Sequence, residues 1–555
     1  MNLIKTPWIK VRRLSGVEER IRPAQIASGG EADPVADILA PRPDFRGALY
    51  QFLIGLLQTT FAPGEIDDWK EHWDTPPTAE KLDKVFDAYA PAFELDGKEA
   101  AFMQDFKPAD LSDSEQKNIG ALLIDTPGEK SVKENKDHFI KRDAVNALCP
   151  CCAAVALFTL QINAPSGGAG HRVSLRGGGP LTTLLIPAQG HDTLWHNLWL
   201  NILPIDSFKQ DALAKKHENL AATLPWLGVT RISAGKPAEE TTPQDVDPLQ
   251  AYWSMPRRIR LDFAHPQSGS CDVCGESGDY LISQYQTKNY GTNYGGQWLH
   301  PLTPYRFETL PISAKGSKAR NGYRHWGSMI LGGEKPEPVA AQVIANYHIQ
   351  KFHKLNKMAA RVWAFGFDMD NMKAECWYES TLPFVTHANG QIALQKKVQP
   401  LLEVAEEAAK LLNGAVRSAW GIDKSEPAVG QSLWQASESG FYAVLRDIAQ
   451  APDLVDVTLA PYYQKWLLLI YNAALHSFDE WVLSSAIEEQ DMFDVIAARE
   501  RLAKNLNMSK PVRDLRDRIN PGLAVKKRIK KVEKKQVALA SSEPIKLSSK
   551  GESKQ

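Results

Sequence analysis

The chain has 555 residues, of which 43% are hydrophobic and 24% charged, with 65 Lys and Arg against 66 Asp and Glu. These fractions are typical of globular proteins and exclude a wholly disordered chain, a collagen-like chain and a coiled-coil rod. At about 150 residues per domain, the length allows three or four compact units. The net charge of −1 excludes a surface that is positive throughout, but a local basic surface is enough to bind nucleic acid.

Neither a membrane span nor a secretory signal is visible in the sequence. The most apolar run, residues 466–475, is about half as long as a bilayer core requires. The N-terminal segment MNLIKTPWIKVRR lacks the apolar stretch and the small-residue cleavage site of a signal peptide. We therefore expect a cytoplasmic protein, and in that reducing compartment clustered cysteines are more often metal ligands than disulfides.

Residues 1–395 are predicted to form a mixed α/β domain with long loops. A helical stretch at residues 44–61 and β-like runs at residues 181–186 and 280–285 alternate with Gly- and Pro-rich segments. One long loop, residues 129–143, carries five Lys or Arg. Loops of this length are usually functional or disordered.

Two CxxC pairs predict a metal site in this domain. The first pair is Cys149 and Cys152, and the second is Cys271 and Cys274. Two such pairs are the usual ligands of a tetrahedral zinc ion, although more than a hundred residues separate them here. Four thiolates leave no open coordination position, so we expect the zinc to be structural; the alternative is four buried or redox-active cysteines.

A glycine-rich segment follows the first CxxC pair. It contains Gly167, Gly168 and Gly170 and then the run GGG at residues 177–179. Neither GK[ST] nor GxGxxG is present, so the segment matches no known nucleotide cradle. Glycine allows close backbone approach to a ligand, but on these residues alone a flexible loop is the favoured interpretation.

Catalytic motifs are not found in the sequence. There is no HExxH, no GxSxG and no set of carboxylates spaced around clustered histidines. The pattern therefore favours a protein that is not an enzyme.

Residues 396–515 are predicted to form an all-α four-helix bundle. Helical spacing of apolar residues marks four segments, which are residues 398–420, 437–450, 461–482 and 491–507. Aromatic and aliphatic side chains in the third segment, including Tyr463, Trp466, Leu467 and Ile470, are expected in the core.

Residues 516–555 are predicted to be a basic flexible tail. Residues 521–555 hold ten Lys or Arg against three Glu, a net charge of +7, so the remaining chain has a net charge of −8. The tail is either a solubilising terminus or an arm that follows phosphates, and the sequence favours neither.

Several ordered blocks together resemble the CasA family, the large subunit of the type I-E CRISPR surveillance complex Cascade. The blocks are MNLIKTPWIKV, APRPDFRGALYQFLIGLLQ, FMQ, ALCPCCAAVALF, APSGGAGHRVSLRGGGPLTT, YWSMPRRIRL, the second CxxC pair and QWLHPLTP. With the closing helical region, the resemblance covers nearly everything except the basic tail.

The resemblance implies an RNA-guided antiviral function without a catalytic centre. CasA proteins recognise the protospacer-adjacent motif (PAM) of double-stranded DNA in the minor groove, promote duplex opening and R-loop formation, and help to recruit a helicase-nuclease. The implied partners are the small subunit, the backbone subunits, the subunit that holds the 5′ handle, the guide CRISPR RNA and the target DNA. The alternatives are a zinc-stabilised nucleic-acid-processing enzyme, such as a nuclease, and a purely structural scaffold.

The resemblance also assigns PAM-contacting residues. The family's glycine loop falls on residues 166–170, where Gly167, Gly168 and Gly170 are kept and Ala169 replaces a glycine. The family's lysine finger aligns with Lys288, which is the only lysine of residues 280–298. Counting residues backwards from Trp298 instead places the finger on Asn289. A lysine there would donate to minor-groove acceptors of the bases.

Two further contact regions follow from the resemblance. The family's wedge hairpin aligns with residues 366–378, where Asn371, Met372 and Lys373 would contact and part the base pairs. The basic loop 129–143 matches a loop that contacts guide RNA, with Phe139 to stack on a base and Lys141 and Arg142 to neutralise phosphates. The four zinc cysteines agree with the family's pairs.

Overall fold

The computed structural model divides the chain into two compact units, Met1–Val385 and Thr386–Gln555. It describes residues 1–106, 113–128, 132–135, 143–168, 170–188, 193–208, 219–235, 237–316, 322–331, 339–370, 373–387, 390–424, 426–484 and 491–520. None of the helices in these ranges is long and apolar enough to cross a membrane.

The strands of the first unit form small antiparallel sheets. The described strands are β1 Ile9–Arg13, β2 Glu18–Ile21, β3 Val35–Ile38, β4 Glu115–Asn118, β5 Thr182–Pro187, β6 Arg258–Leu261, β7 Gln267–Ser270, β8 Ser277–Leu281, β9 Gln284–Lys288, β10 Tyr305–Phe307, β11 Pro311–Ser313, β12 Ala360–Asp370 and β13 Lys373–Phe384. The three-stranded sheets have the orders β2-β1-β3, β4-β9-β6 and β13-β12-β5, and β7-β8 and β10-β11 are two-stranded.

One predicted β-like run is divided between two strands. Residues 280–285 are the end of β8 and the start of β9, with a break at Ile282 and Ser283. The break arises because Ile282 pairs with Leu148 through two backbone hydrogen bonds of 2.8 and 3.0 Å. The predicted strand at residues 181–186 is present as β5.

Helix α1 is the centre of the first unit's core. Pro43 in its first turn fixes φ near the helical value, and the negative charge of Asp44 interacts favourably with the positive end of the helix dipole. Fourteen of its 18 residues are buried, as expected for a helix that is apolar on most sides. The ring of Phe52 makes edge contacts at centroid distances of 5.5–6.0 Å with the rings of Trp8, Phe93, Phe102, Phe158 and Trp253.

The helices of the first unit are mostly short. Those of six or more residues are α1 Pro43–Thr60, α2 Ile66–Asp74, α3 Ala79–Phe86, α4 Pro150–Asn163 and α5 Leu194–Trp199. Shorter helical turns are Leu220–Thr223, Gln342–Asn346 and Phe352–Lys354.

The second unit is helical, as predicted, but it has five described helices rather than four. They are α6 Gln391–Trp420, α7 Pro427–Ala449, α8 Asp456–Leu483, α9 Met492–Met508 and α10 Lys510–Ile519. Of the predicted core side chains, Tyr463, Trp466 and Ile470 are buried, whereas Leu467 is partly exposed. The indole N–H of Trp466 donates to the carbonyl of Leu401 at 3.0 Å, which fixes α8 against α6.

The boundaries of this unit differ from the sequence-based ones. The predicted division between residues 395 and 396 falls inside α6, and the tail predicted from residue 516 starts within α10. Helix α10 continues to Ile519 because Val512 and Leu515 are buried and Arg516 donates to the carbonyl of Asn507 at 3.0 Å. Residues 521–555 lie outside the described part of the chain.

Candidate nucleic-acid interface and cysteine cluster

The four cysteines of the two CxxC pairs meet in one cluster. The sulfur atoms of Cys149, Cys152, Cys271 and Cys274 all lie within 4.8 Å of one another, and those of Cys149 and Cys274 are 3.7 Å apart. Sulfurs bound at 2.3 Å to a tetrahedral zinc ion are about 3.8 Å apart, so the cluster has the dimensions of a zinc site. Within the described residues it is the only group of three or more His, Cys, Asp or Glu that could hold a metal ion.

Local structure explains why the thiols converge. Cys149 caps the N-terminus of α4, where its sulfur accepts the backbone N–H of Cys152 at 3.4 Å. The second pair forms the turn between β7 and β8, closed by a hydrogen bond of 2.8 Å from Gly275 N–H to the carbonyl of Cys271. Asp272 joins the two segments, because its carboxylate accepts the backbone N–H of Asn146 at 2.7 Å.

The thiols of the cluster influence one another. Hydrogen bonds with the thiols of Cys151 and Cys152 hold the pKa of Cys149 well below its usual range, and the same hydrogen bond holds the pKa of Cys152 well above its own, so the cluster by itself favours one thiolate. Burial raises the pKa of Cys274 to about 11, a penalty that a bound cation would reverse. A zinc ion would supply cross-linking here and no reactive water, since four sulfurs complete its coordination.

Each CxxC pair is continuous with one part of the predicted PAM site. Helix α4 begins at the first pair and ends at Asn163, three residues before the glycine loop, residues 166–170. The second pair leads through β8 into β9, which ends at Lys288. Helix α4 has 14 residues and is therefore about 21 Å long, so the cysteine cluster and the glycine loop lie at opposite ends of this helix.

The glycine loop contacts the segment that follows β9. Gly170 has φ +82°, a conformation that favours glycine, and a Cβ there would lie 2.7 Å from Cβ of Asn289. The backbone N–H of Tyr290 donates to the carbonyl of Gly170 at 2.7 Å. The structure therefore brings together two elements that the sequence placed in one site, although 119 residues separate Gly170 from Asn289.

Both candidates for the lysine finger lie at this contact. Lys288 is the last residue of β9, half-buried, and pairs in register with Arg258 of β6. Asn289 is also half-buried and is the residue that packs on Gly170. The geometry thus places the ambiguous pair side by side at the edge of the glycine loop.

A second glycine run connects the loop to the predicted wedge hairpin. A Cβ on Gly178 would lie 2.8 Å from Cα of Pro165, at the start of the glycine loop. A Cβ on Gly179 would lie 2.5 Å from the carbonyl O of Phe367 and 2.7 Å from Cγ of Met369, both near the end of β12. The loop and the hairpin are therefore packed against the same three glycines, residues 177–179.

The wedge itself is a β-hairpin. Strands β12 and β13 pair along their full length, and Asp370 is opposite Lys373, so only Asn371 and Met372 connect them. Lys373 is exposed at the start of β13. Asn371 and Met372 lie outside the described residues, as do Ala169 and the predicted RNA contacts Phe139, Lys141 and Arg142.

Positive charge is concentrated under the glycine loop. The guanidinium of Arg257 donates to the carbonyl of Pro165, and its Nη1 would lie 2.7 Å from a Cβ on Gly167. Burial lowers the pKa of Arg257 to about 10, which still leaves it charged at neutral pH. Burial and the charges of Arg257 and Lys117 lower the pKa of His171.

The second glycine run also lies over cations. The buried guanidinium of Arg176 donates to Gln51 Oε1 at 2.7 Å, and burial lowers its pKa to about 10. Lys315 donates to the carbonyl of Arg176 at 2.6 Å, and burial together with the charge of Arg176 lowers the pKa of Lys315 to about 8. The whole chain is nearly neutral, and these cations lie beneath the glycine segments, where they hold the backbone by hydrogen bonds.

Sequence reasoning missed the support residues of this interface. The sequence predicts no role for Arg257, Lys315 or Tyr290, and it predicts for residues 177–179 only a place in a glycine-rich loop. The available signals were the Arg pair in YWSMPRRIRL and the aromatic residue directly after Lys288 and Asn289.

Comparisons with known proteins identify the fold. A crystal structure of CasA from Thermus thermophilus matches with a TM-score of 0.66 and 15% identity over 92% of this chain and 99% of that chain. A crystal structure of Thermobifida fusca Cse1 matches with a TM-score of 0.65 and 16% identity, and the match covers 92% of this chain and 98% of that chain. A chain of a structure described as a CRISPR RNA-guided surveillance complex matches with a TM-score of 0.64 and 19% identity, and the match covers 91% of this chain and 99% of that chain.

The protein therefore has the fold of CasA and Cse1 structures, with a mixed α/β N-terminal region and a helical C-terminal part. A sequence model of the family described as CRISPR-associated protein Cse1 matches residues 2–477. The chain belongs to this Cse1 family, which confirms the predicted resemblance.

Proposed function

We propose that this protein is the PAM-reading large subunit of an RNA-guided CRISPR complex in the cytoplasm. It recognises the PAM of double-stranded DNA in the minor groove, starts duplex opening and R-loop formation, and helps to recruit a helicase-nuclease without catalysing a reaction itself. The observation that carries the proposal is the contact between Gly170 and Asn289, which joins the glycine loop to the end of β9.

The exposure of the glycine loop suits minor-groove reading. Gly167 and Gly168 are exposed and have no side chains of their own, so their backbone is open to a close approach. Lys288 or Asn289 would donate to purine N3 or pyrimidine O2 beside them. Because these acceptors are nearly the same in A·T and T·A pairs, the accepted motif would be relaxed.

The wedge hairpin would act next to this reader. Its strands are packed against residues 177–179, which also contact the base of the glycine loop. Asn371 would contact the motif and Met372 would enter between base pairs, as apolar wedges of architectural proteins do. Lys373 would contact a phosphate of the parted strands.

The remaining assignments are part of the same proposal. A structural zinc ion on the cysteine cluster would hold the reading elements, and Phe139, Lys141 and Arg142 would contact the guide RNA near its 5′ handle. The helical unit would bind the small and backbone subunits, for which it has exposed apolar side chains. The most exposed of these are Phe493 at 81%, Val457 at 67% and Leu468 at 63%.

The test measures how the assembled complex binds two DNA targets. One is a duplex that bears the motif, and the other is the same target opened beforehand. Replacing Lys288 and Asn371 by alanine should weaken binding to the motif-bearing duplex by about 10-fold or more, since each base contact is worth about 1–3 kcal/mol. Binding to a target opened beforehand should stay nearly normal. The control is Lys357→Ala, which removes an exposed lysine elsewhere in the same unit.

Two outcomes would count against the proposal. Equal loss on both substrates would show that these residues do not read the motif. Cleavage of labelled DNA by the purified protein with Mg²⁺ or Mn²⁺ would instead favour a nuclease. Single variants Lys288→Ala and Asn289→Ala would show which of the two residues is the finger.

A further inference from the structure

Tyr290 has an unusual backbone for an aromatic residue. Its φ is +62°, in the left-handed region that residues with a bulky side chain rarely adopt. Five other non-glycine residues of the described part have positive φ, and none is aromatic: Met103, Asn135, Asp143, Asn356 and Lys357. Strain of this kind persists only where the surrounding structure enforces it, and it is frequent at functional sites.

The neighbours of Tyr290 enforce this conformation. Its N–H donates to the carbonyl of Gly170 at 2.7 Å, and its carbonyl accepts the N–H of Ser233 at 3.1 Å. The next residue, Gly291, passes so close to the carbonyl of Pro256 that a Cβ has no room. Both sides of Tyr290 are thus fixed, and the direction of its side chain is fixed with them.

The ring of Tyr290 makes few contacts within the protein that would offset this backbone strain. The residue is 41% exposed, and its main packing contact is the glycine loop, where Cδ1 would lie 3.2 Å from a Cβ on Gly170. Within the described residues, the ring contacts no other ring and the phenol makes no hydrogen bond. A core-packing role would bury the ring, so the exposed position calls for an outside partner.

Cationic side chains occur in the segments that hold Tyr290. Lys288 is two residues before it in the chain, and Arg257 donates to the carbonyl of Pro165 beneath the glycine loop. The guanidinium of Arg172 donates to the Oγ and the carbonyl of Ser233, both at 2.7 Å, and Ser233 in turn donates its backbone N–H to the carbonyl of Tyr290. An exposed aromatic ring on segments that also carry cations suits a polyanion with apolar or stacking surface, which is the chemistry of nucleic acid.

We propose that Tyr290 is a specificity-determining DNA contact of the same site. Its ring packs against deoxyribose in the minor groove, next to the base pair that faces the glycine loop, and its phenol O–H donates to a purine N3 or pyrimidine O2. The inference rests on the proposed function and adds a residue to it. The strained backbone holds the ring in its binding position before DNA arrives, so less conformational freedom is lost on binding.

Replacing Tyr290 by glycine separates binding from folding. Glycine adopts positive φ without strain, so Tyr290→Gly should keep or raise the melting temperature while binding of the assembled complex to a motif-bearing duplex falls at least about 10-fold. Binding to the same target opened beforehand should change less than about 3-fold. Tyr290→Phe keeps the ring and removes the donor, so it should retain most affinity and relax the preference for the motif.

Matched variants distinguish the possible failures. Asn356→Gly also removes a side chain at positive φ, +50°, and should leave DNA binding unchanged. Normal binding by Tyr290→Gly while the variant with both Lys288→Ala and Asn371→Ala binds weakly would overturn this inference alone. Normal binding by both proteins would overturn the proposed function as well. A lower melting temperature with equal loss on both substrates would show that the ring acts in folding.

Discussion

The sulfur atoms of Cys149 and Cys274 lie 3.7 Å apart, although 125 residues separate them in the sequence. Cys149 starts the helix that leads to the glycine loop, and Cys274 starts the strands that lead to Lys288. The two halves of the interface are thus joined twice, once at the cluster and once where Gly170 contacts Asn289. A cross-link at the cluster would limit their relative motion at the contact.

Loss of a cysteine ligand should therefore affect both stability and DNA binding. We expect Cys274→Ser to abolish stoichiometric zinc binding and to lower the free energy of unfolding by about 4 kcal/mol, as is typical when a structural metal is lost. Metal content by atomic emission and thermal unfolding check this. Cys376→Ser is the control, since Cys376 is exposed on β13. Metal-free wild-type protein with the same melting temperature as Cys274→Ser would support the zinc site, whereas wild-type protein that never binds zinc would contradict it.

Gly168 tests whether the loop faces DNA. It has φ +93° and no atom within 4 Å of a Cβ position, so Gly168→Ala adds a methyl group that meets only solvent in the free protein. Gly16 has φ +91° and equally open surroundings in the turn between β1 and β2. Both alanine variants should lose about 1 kcal/mol of stability from backbone strain. Only Gly168→Ala should weaken binding to the motif-bearing duplex, by about 10-fold, in a gel-shift or interferometry assay. Equal affinities would mean that the loop does not approach DNA.

Local patterns were sufficient for several parts of the structure. Helix α1 follows from the apolar run after Pro43. The meeting of the four cysteines follows from the two CxxC pairs, because such pairs commonly supply the ligands of one metal ion. The predicted helical segment 461–482 begins at Pro461, whereas in the structure Pro461 lies inside α8. It is tolerated in the second turn, where the buried Leu459 and Tyr463 on either side anchor the helix.

The contacts that build the interface could not be predicted in the same way. The position of Arg257 under Gly167, and of Gly179 against Met369, depends on packing between segments that are distant in the chain. No local propensity reports such packing, because it is decided by tertiary structure. The resemblance named the loop, the finger and the hairpin, and the structure supplies how they touch.

Gly179 tests the coupling between the reader and the wedge. Gly179→Ala should push the end of β12 away, because the new Cβ would lie 2.5 Å from the carbonyl O of Phe367. Motif binding should stay within about 3-fold, whereas the rate of duplex opening should fall about 10-fold, equal to about 1.4 kcal/mol. Fluorescence of 2-aminopurine in the target strand measures the opening. Gly30→Ala has nearly the same φ, +56° against +57°, with open surroundings, and should open DNA normally. An unchanged opening rate for Gly179→Ala would show that duplex opening does not depend on the contact between residues 177–179 and the hairpin.

His348 should make the first unit sensitive to acid. Its ring Nε2 lies 3.2 Å from the carbonyl O of Ile330, and burial lowers the pKa of His348 to about 4. The unfolded chain, with an ordinary histidine pKa of about 6.5, binds more protons between these values, so stability is lost as the pH falls from 6.5 to 4. The loss is at most about 3 kcal/mol at 1.36 kcal/mol per pKa unit. His348→Gln should flatten this dependence in urea unfolding followed by tryptophan fluorescence, whereas His353→Gln, at an exposed position, should not. Parallel pH profiles for wild type and His348→Gln would show that the ring is already hydrated in the folded state.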